Sequence, residues 1–388
     1  MRERWKLVQA YANGEASMAE LCRRFGVSRK TGHKWWHRYC EEGKDGLRGR
    51  SSRPRRSPSQ TPEEVERAII RLRRTYPCWG PRKLRVALKH DSPDLEVPAA
   101  STIGEVLKRN GLVPRRRRKR KSLPASSPFA EFHAPNAVWC ADFKGQFPTG
   151  AKTCYPLTIV DGYSRFLIAC RALSRTRFED VKKVFFDAFK AHGIPDVIRT
   201  DNGPPFASKG AGGLSRLSVW WMRLGIIPER IRPGHPEENG RQERFHRTLK
   251  LETARPPAGG LGAQQRRFDR FLPIYNEVRP HEALGQRPPA TFYEPSARPA
   301  PERYVEPEYP DAYEVFRTNK NGAMNWRGYR IQLNTSLDRQ LVGVVRVGSE
   351  FDVRFGPVWL GRFKQPRRNT RNIRLITAPR KQQDAGRS

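Results

Sequence analysis

Three carboxylates, Asp142, Asp201 and Glu243, are the side chains of this chain that are best suited to catalysis. Asp142 lies in an apolar run, Asp201 follows another, and Glu243 lies in a segment with helical character. On a chain with a formal net charge of +36, such acids suggest ligands for a hard divalent cation that acts on a phosphate backbone. A bare carboxylate would repel that phosphate, whereas one that carries Mg²⁺ attracts it.

Charge and composition narrow the class of protein. A chain of 388 residues is long enough for several domains and a full α/β core. Its charge predicts a polyanionic partner, nucleic acid first and an anionic membrane surface second. No run approaches the ~20 apolar residues of a membrane span, and the first residues have no apolar signal core. The six cysteines form no C-x-x-C pair, which favours reduced thiols over a zinc site. We therefore expect a cytoplasmic protein that acts on DNA.

The first segment, residues 1–50, reads as a helix-turn-helix domain. Ser17 and Glu20 form a capping-box pattern, Gly26 permits a sharp turn, and Ser28 can cap a third helix. The alternative is an ordinary three-helix bundle with a solvated basic face. Because the charge has one sign, we expect the third helix to enter a major groove. Its predicted DNA contacts are Arg29, Lys30, His33, Lys34 and Arg38.

Residues 61–113 predict a second helical domain, similar to a helix-turn-helix, that also binds DNA. Thr61 and Pro62 suit the start of its first helix. Residues 114–130 follow as a basic linker, in which positions 115–121 are all Lys or Arg. Such a run can track DNA and release counterions, or it can be a plain solvated linker. The predicted contacts here are Arg115, Arg116, Arg117 and Arg118.

Beyond residue 131 the apolar pattern changes to mixed α/β. Three strand-like runs, a helix, a strand, a helix, a strand and a long helix predict a sheet with polar residues at its strand ends, over residues 131–295. Residues 312–365 show several short strands separated by turn residues, which predicts a small β-barrel. Residues 366–388 form a basic tail. The predicted fold is thus multidomain, with all-α modules, an α/β core and a barrel.

Three motifs give the chain a family resemblance. They are WCADF at 139–143, TDNGPPF at 200–206 and PGHPEENGRQERF at 233–245. With them, residues 1–295 resemble bacterial insertion-sequence transposases, whose catalytic core is similar to that of retroviral integrases. The resemblance implies an RNase H-like core, a DDE triad and two Mg²⁺ or Mn²⁺ ions. It also implies DNA strand cleavage followed by strand transfer.

The third acid needs a choice, because the family's usual interval, counted from Asp201, ends at Glu237. In the family the catalytic acid follows the glycine of the motif and precedes a polar residue and Phe, and Glu243 fits that position. The interval from Asp201 to Glu243 is longer than the family's usual one and requires an insertion, for which residues 210–213 are suitable. Glu237 and Glu238 are interpreted as first-turn helix acids. His235 is predicted either to contact the DNA end or to cap the helix.

The helix of Glu243 is predicted to line a DNA channel, and the alternative is a solvated basic face. The residues concerned are Arg241, Arg244, Arg247 and Lys250. The resemblance implies a bacterial, nucleoid-associated DNA transposase that reads terminal inverted repeats, acts on target DNA and forms a multimer on DNA. No organic cofactor and no membrane partner are expected. The alternatives are a non-catalytic repressor derived from a transposable element and a metal-dependent nuclease without strand transfer.

Overall fold

The structure is a computed structural model that describes residues 2–49, 61–113, 131–231, 240–365 and 372–377. Two sets of predicted site residues fall outside these ranges: Arg115 to Arg118 of the basic linker, and His235, Glu237 and Glu238. The chain divides into two compact units, Met1–Pro62 and Glu63–Ser388.

The helices of the described residues, in chain order, are α1 (Arg2–Ala12), α2 (Met18–Arg24), α3 (Arg29–Glu42), α4 (Glu63–Thr75), α5 (Pro81–Asp91), α6 (Ala100–Arg109), α7 (Phe178–His192), α8 (Arg216–Arg223), α9 (Gly240–Thr253) and α10 (Leu261–Pro273). The strands are β1 (Val138–Phe143), β2 (Phe147–Thr149), β3 (Lys152–Asp161), β4 (Leu167–Leu173), β5 (Val197–Thr200), β6 (Ile227–Arg230), β7 (Glu314–Arg317), β8 (Ala323–Trp326), β9 (Tyr329–Gln332), β10 (Leu341–Val347), β11 (Glu350–Phe355), β12 (Val358–Lys364) and β13 (Asn372–Ile373).

The first unit has the helical order that the sequence predicts. Ser17 Oγ accepts a hydrogen bond from Glu20 N at 3.3 Å, and Ser28 Oγ accepts one from Thr31 N at 3.2 Å. These side chains satisfy amide groups that the first turns of α2 and α3 leave without helical partners. Gly26 joins the two helices with a φ of +62°, a conformation that favours glycine. Helices α1 to α3 enclose a small apolar core around Trp35.

Helices α4 to α6 belong to the second unit. Their apolar residues recur at helical spacing and bury a core around Trp79, which is fully buried. The start of α5 contacts the segment that follows α10: Arg82 forms an ion pair with Glu282 at 2.6 Å, and the Arg279 guanidinium lies 5.9 Å from the Trp79 ring centroid. The N-terminal helical region that the sequence predicts is therefore present, and its second group of helices packs on the rest of its unit.

The α/β core is built on a mixed sheet. The strand order is β2-β3-β1-β5-β6, and β4 also pairs with β3. Strands β1, β3 and β4 are antiparallel neighbours, whereas β1, β5 and β6 run parallel. Because parallel neighbours end at the same edge of a sheet, the carboxyl ends of β1 and β5 lie side by side.

Helices cover both faces of this sheet. Trp139, Ala141 and Ile198 bury their side chains on one face, in a core shared with α7 and α8. On the other face, α9 and α10 contribute Phe245, Leu249, Phe268 and Phe271 to a second core against β3 and β4. Both faces are apolar because the hydrophobic side chains of each strand have a helix to pack against on either side.

Beyond residue 312 the chain forms two sheets, of order β12-β11-β10-β7 and β13-β9-β8. They share one core, in which Trp326 contacts Phe351 and Phe363 with ring centroids 4.7 Å and 4.9 Å away. The predicted small barrel is not confirmed, because in the described residues these sheets do not close into one. Apolar alternation predicts the strands, but closure depends on pairing between the sheet edges, which the pattern does not encode.

The segment 210–213, proposed from sequence as an insertion, contacts these C-terminal sheets. Asn334 Nδ2 donates to Ala211 O at 3.0 Å and to Leu214 O at 2.8 Å, and both bonds are buried. Gly212 has a φ of +66°, and a Cβ there would lie 2.9 Å from Leu360 Cδ2. Glycine is thus required both by the backbone conformation and by the close approach.

Among the described residues, no helix is long and apolar enough to cross a membrane. All six cysteines are free thiols, of which Cys22, Cys154 and Cys170 are buried.

Candidate active site

Asp142 and Asp201 occupy matching positions of two neighbouring parallel strands. The register pairs Trp139 with Ile198 and Cys140 with Arg199. Continued by two residues, the same register brings Asp142 opposite Asp201, which directly follows β5. Because side chains two residues apart along a strand share a face, both acids lie on the same face of the sheet, at the carboxyl ends of these two strands. Tertiary structure therefore brings together two of the three acids that the sequence singled out.

The turn after Asp201 fixes the direction of its carboxylate. Gly203 N donates to Asp201 Oδ1 at 3.0 Å, and Asn202 Nδ2 donates to Ile231 O at 2.6 Å, next to the end of β6. Phe206, in the same loop, lies against Phe143 with ring centroids 5.6 Å apart. This contact joins the loop of Asp201 to the residue beside Asp142.

Helix α9 is attached to β1 through buried polar groups. Gln242 Nε2 donates to Cys140 O at 3.2 Å, and His246 Nε2 lies 2.8 Å from Thr158 Oγ1. Thr158, which pairs with Asp142 across β3 and β1, donates its hydroxyl hydrogen to Asp142 O at 3.1 Å. These bonds fix the first turns of α9 over the strand that carries Asp142.

The hydrogen bonds of Thr158 define the tautomer of His246. A carbonyl oxygen can only accept, so the hydroxyl donates to Asp142 O and accepts from His246 Nε2–H. Burial, and secondarily the charge of Lys144, lowers the pKa of His246 to about 3, so the ring is neutral at pH 7. A neutral imidazole has one ring hydrogen, which leaves Nδ1 as an acceptor, 3.8 Å from Asp142 Oδ2.

Glu243 lies in the first turn of α9, between Gln242 and His246, and its side chain is exposed. Residues three apart on a helix are neighbours, so Glu243 lies next to His246 along α9. The described residues contain no group of three or more His, Cys, Asp or Glu side chains gathered closely enough to hold a metal ion. The donors themselves suit Mg²⁺ or Mn²⁺, since carboxylate oxygens are the hard ligands these ions prefer.

The predicted cationic contacts are mostly exposed, and one further cation, Lys144, lies near Asp142. Burial lowers the pKa of Lys144, with Lys250 acting in the same direction and Asp142 opposing it, so these three side chains are electrostatic neighbours. Arg241, Arg244, Arg247 and Lys250 are exposed on α9. In the first unit, Arg29, Lys30, His33 and Lys34 are exposed on α3, and Arg38 is half-buried with its guanidinium 5.2 Å from the Trp35 ring centroid.

Sequence reasoning missed several residues that contact the acids or their strands. Thr158 is the polar residue in the apolar run 156–160, and His246 follows Glu243 at helical spacing, so either could have been noticed. Lys144 follows Asp142 by two residues, just past the strand. The signals at Thr158 and His246 give no partner, because their contact joins elements 88 positions apart in the chain.

Family models match most of the chain. An integrase core domain model matches residues 133–236, and a second model of the same description matches residues 224–289. A helix-turn-helix domain model matches residues 3–55, and a homeodomain-like domain model matches residues 31–107.

Individual relatives agree with these matches. The uncharacterized 39.2 kDa protein of insertion element IS476 from Xanthomonas euvesicatoria is 28% identical over 254 residues, 61% of this chain and 67% of that protein. The transposase for insertion sequence element IS904 from Lactococcus lactis is 29% identical over 163 residues, 41% of this chain and 62% of that protein. The catalytic core domain of HTLV-2 integrase, solved in complex with magnesium, is 16% identical with a TM-score of 0.31, over 42% of this chain and 99% of that one.

Proposed function

We propose that this chain, which has an integrase core domain and helix-turn-helix domains and whose homologues are insertion-sequence transposases, is itself a DNA transposase. It binds the terminal inverted repeats of its element through the N-terminal helices. It then catalyses metal-dependent strand cleavage and strand transfer into target DNA, as a multimer on the DNA. Its place of action is the bacterial cytoplasm, at the nucleoid.

The observation that carries this proposal is the matching position of Asp142 on β1 and Asp201 directly after β5, with α9 bonded to β1. A phosphoryl-transfer site needs a few hard oxygen ligands at fixed points near one sheet edge. In our proposal Asp142, Asp201 and Glu243 are the triad that holds two Mg²⁺ or Mn²⁺ ions. When bound, the ions neutralise phosphate charge and activate the attacking oxygen.

The remaining groups bind and orient the DNA. Lys144 lies close enough to both Asp142 and Lys250 for their charges to act on it, and the two lysines attract the backbone toward the acids. His246 holds α9 on β1 through Thr158 and presents its Nδ1 beside Asp142. Water or a DNA 3′-hydroxyl then attacks phosphorus in line, without a covalent enzyme intermediate, so catalysis is positioning and charge neutralisation.

A strand-transfer assay with labelled element ends and a plasmid target tests the proposal. The wild type should join ends to target only with Mg²⁺ or Mn²⁺. Asp142→Asn, Asp201→Asn and Glu243→Gln should each lose about 1000-fold of this activity, since each removes a ligand of the ions that neutralise charge in the transition state. Glu237→Gln is the matched control and should stay active. All variants should keep their affinity for the ends.

Each alternative gives a different result. Loss of activity in Glu237→Gln with full activity in Glu243→Gln would reverse the choice of the third acid. Cleaved ends without joined products would indicate a nuclease, and binding without either product would indicate a repressor. Both of these outcomes contradict the proposal.

A further inference from the structure

Phe132 lies where the elements of the three proposed acids meet. Its ring packs with Cys140 against the small buried cluster of Ala137, Val138 and Val197, which joins β1 to β5. The Arg199 guanidinium lies 4.7 Å from the ring centroid, and the Arg241 guanidinium lies 4.3 Å from it. One aromatic ring thus contacts β1, β5 and the first turn of α9.

The residues around this ring stand at a constant sequence spacing from the proposed acids. Cys140, Arg199 and Arg241 each precede an acid by two positions, namely Asp142, Asp201 and Glu243 in turn. Along β1 and β5, positions two apart share a face, so the ring and the first two acids lie on the same side of the sheet. Gly162 makes room for the ring, because a Cβ there would lie 2.0 Å from Phe132 Cδ1.

Electrostatics gives the ring its role. Arg199 is paired with Glu229 at 2.5 Å, and the Arg241 guanidinium lies against the same ring as the Arg199 guanidinium. Like charges in this half-buried region repel, and the electron-rich face of an aromatic ring offsets part of that repulsion for each guanidinium. Arg241 also donates to Gly162 O at 3.3 Å, which sets its direction. The ring thus holds one arginine from β5 and one from the first turn of α9 in contact with the same aromatic surface.

We infer that Phe132 is a positioning residue that holds the first turn of α9 against β1 and β5, and with it the proposed third acid beside the other two. The inference rests on the proposed function only for its catalytic consequence. The mechanical part of the inference, the attachment of α9 to β1 and β5, concerns this chain's own residues and can be measured without metal or DNA.

Amide hydrogen exchange of the metal-free full-length protein tests the mechanical part. Phe132→Leu keeps an apolar side chain but removes the ring, and exchange across residues 240–246 should accelerate roughly 10-fold. Phe132→Tyr keeps the ring and should exchange like the wild type. Phe178→Ala is the matched control, because Phe178 also has a guanidinium over its ring, that of Arg216 at 4.2 Å, but lies on α7. It should leave residues 240–246 unchanged.

A second variant isolates the electrostatic step. Arg241→Gln removes the charge that is repelled, so adding Phe132→Leu to it should accelerate exchange far less than in the wild-type background. An equal acceleration in both backgrounds would contradict repulsion as the cause. Wild-type exchange in Phe132→Leu, or the same acceleration in Phe178→Ala, would overturn the positioning role.

Strand transfer tests the catalytic consequence. Phe132→Leu should reduce joining roughly 100-fold at unchanged affinity for element ends, since a displacement near 1 Å costs about that much. Phe132→Tyr should restore activity. If accelerated exchange is found but the wild type joins no DNA, the proposed function fails while the positioning role stands. If Phe132→Leu joins DNA at the wild-type rate, the positioning of the third acid is overturned.

Discussion

His246 Nδ1 lies 3.8 Å from Asp142 Oδ2, while Nε2 of the same ring is 2.8 Å from Thr158 Oγ1. Thr158 in turn donates to the backbone carbonyl of Asp142. His246 of α9 is thereby hydrogen-bonded through Thr158 to the main chain of Asp142, and its ring lies beside the Asp142 carboxylate.

This connection predicts coupling between Thr158 and His246. Thr158→Val keeps the shape of the side chain but leaves the buried Nε2–H without an acceptor, which should lower the free energy of unfolding by about 1–3 kcal/mol. His246→Phe removes that donor, so the double variant should lose less than the sum of the two single losses. Urea unfolding of the four proteins measures the difference. Strict additivity would contradict the hydrogen bond.

The ion pair between Arg279 and Glu252 should matter more to stability than the pair between Arg82 and Glu282. The first pair is buried, with side chains 8% and 16% exposed, whereas the second is 73% and 72% exposed. Glu252→Gln leaves a buried guanidinium uncompensated and should cost about 3–5 kcal/mol. Glu282→Gln, the matched control, should cost less than about 1 kcal/mol. Similar unfolding midpoints for the two variants would refute this difference.

His281 should make the second unit sensitive to acid. Burial, then the charges of Lys83 and Arg279, lowers the pKa of His281 to about 3, although a hydrogen bond with the Tyr275 backbone opposes the shift. Between pH 6.5 and 3 the unfolded chain binds a proton that the folded chain does not, so stability is lost as the pH falls through this window.

The size of this loss of stability follows from the change in the free energy of unfolding per pH unit. His281 should contribute up to about 1.4 kcal/mol of lost stability for each pH unit below its unfolded pKa. His281→Gln cannot take up a proton and should therefore show a smaller loss between pH 6.5 and 4.5 than the wild type. Denaturant unfolding at several pH values measures it, and identical slopes for the two proteins would argue against a buried neutral His281.

The exposed cations of α3 should govern the salt dependence of DNA binding by the first unit. Lys30 is exposed on α3, and replacing it by Ala should reduce the slope of log affinity against log salt by about 0.9 if it contacts one phosphate. Lys6 on α1, paired with Glu3 at 2.9 Å, is the matched control, and Lys6→Ala should leave the slope unchanged. Equal slopes for all three proteins would exclude α3 as the DNA-contacting helix.

Local pattern was enough to predict most of the elements. Alternating or continuous apolar runs predicted β1, β3, β4, β5 and β6, because side chains buried on a sheet leave a direct signature in the sequence. Cap residues such as Ser17 and Ser28 marked helix starts because their hydrogen bonds span only a few residues. Short strands such as β2, β7 and β8 were missed, since runs of three or four residues are too short to show a clear alternation.

The candidate catalytic side chains, three acids in specific motifs on a basic chain, are evident from the amino-acid sequence. Their neighbours depend on tertiary structure. The register of β1 and β5 brings Asp142 opposite Asp201, and buried contacts of Thr158, His246 and Phe132 attach α9 to those strands. Such contacts join residues separated by many positions, and their partners are set by packing and strand register, which no local pattern encodes.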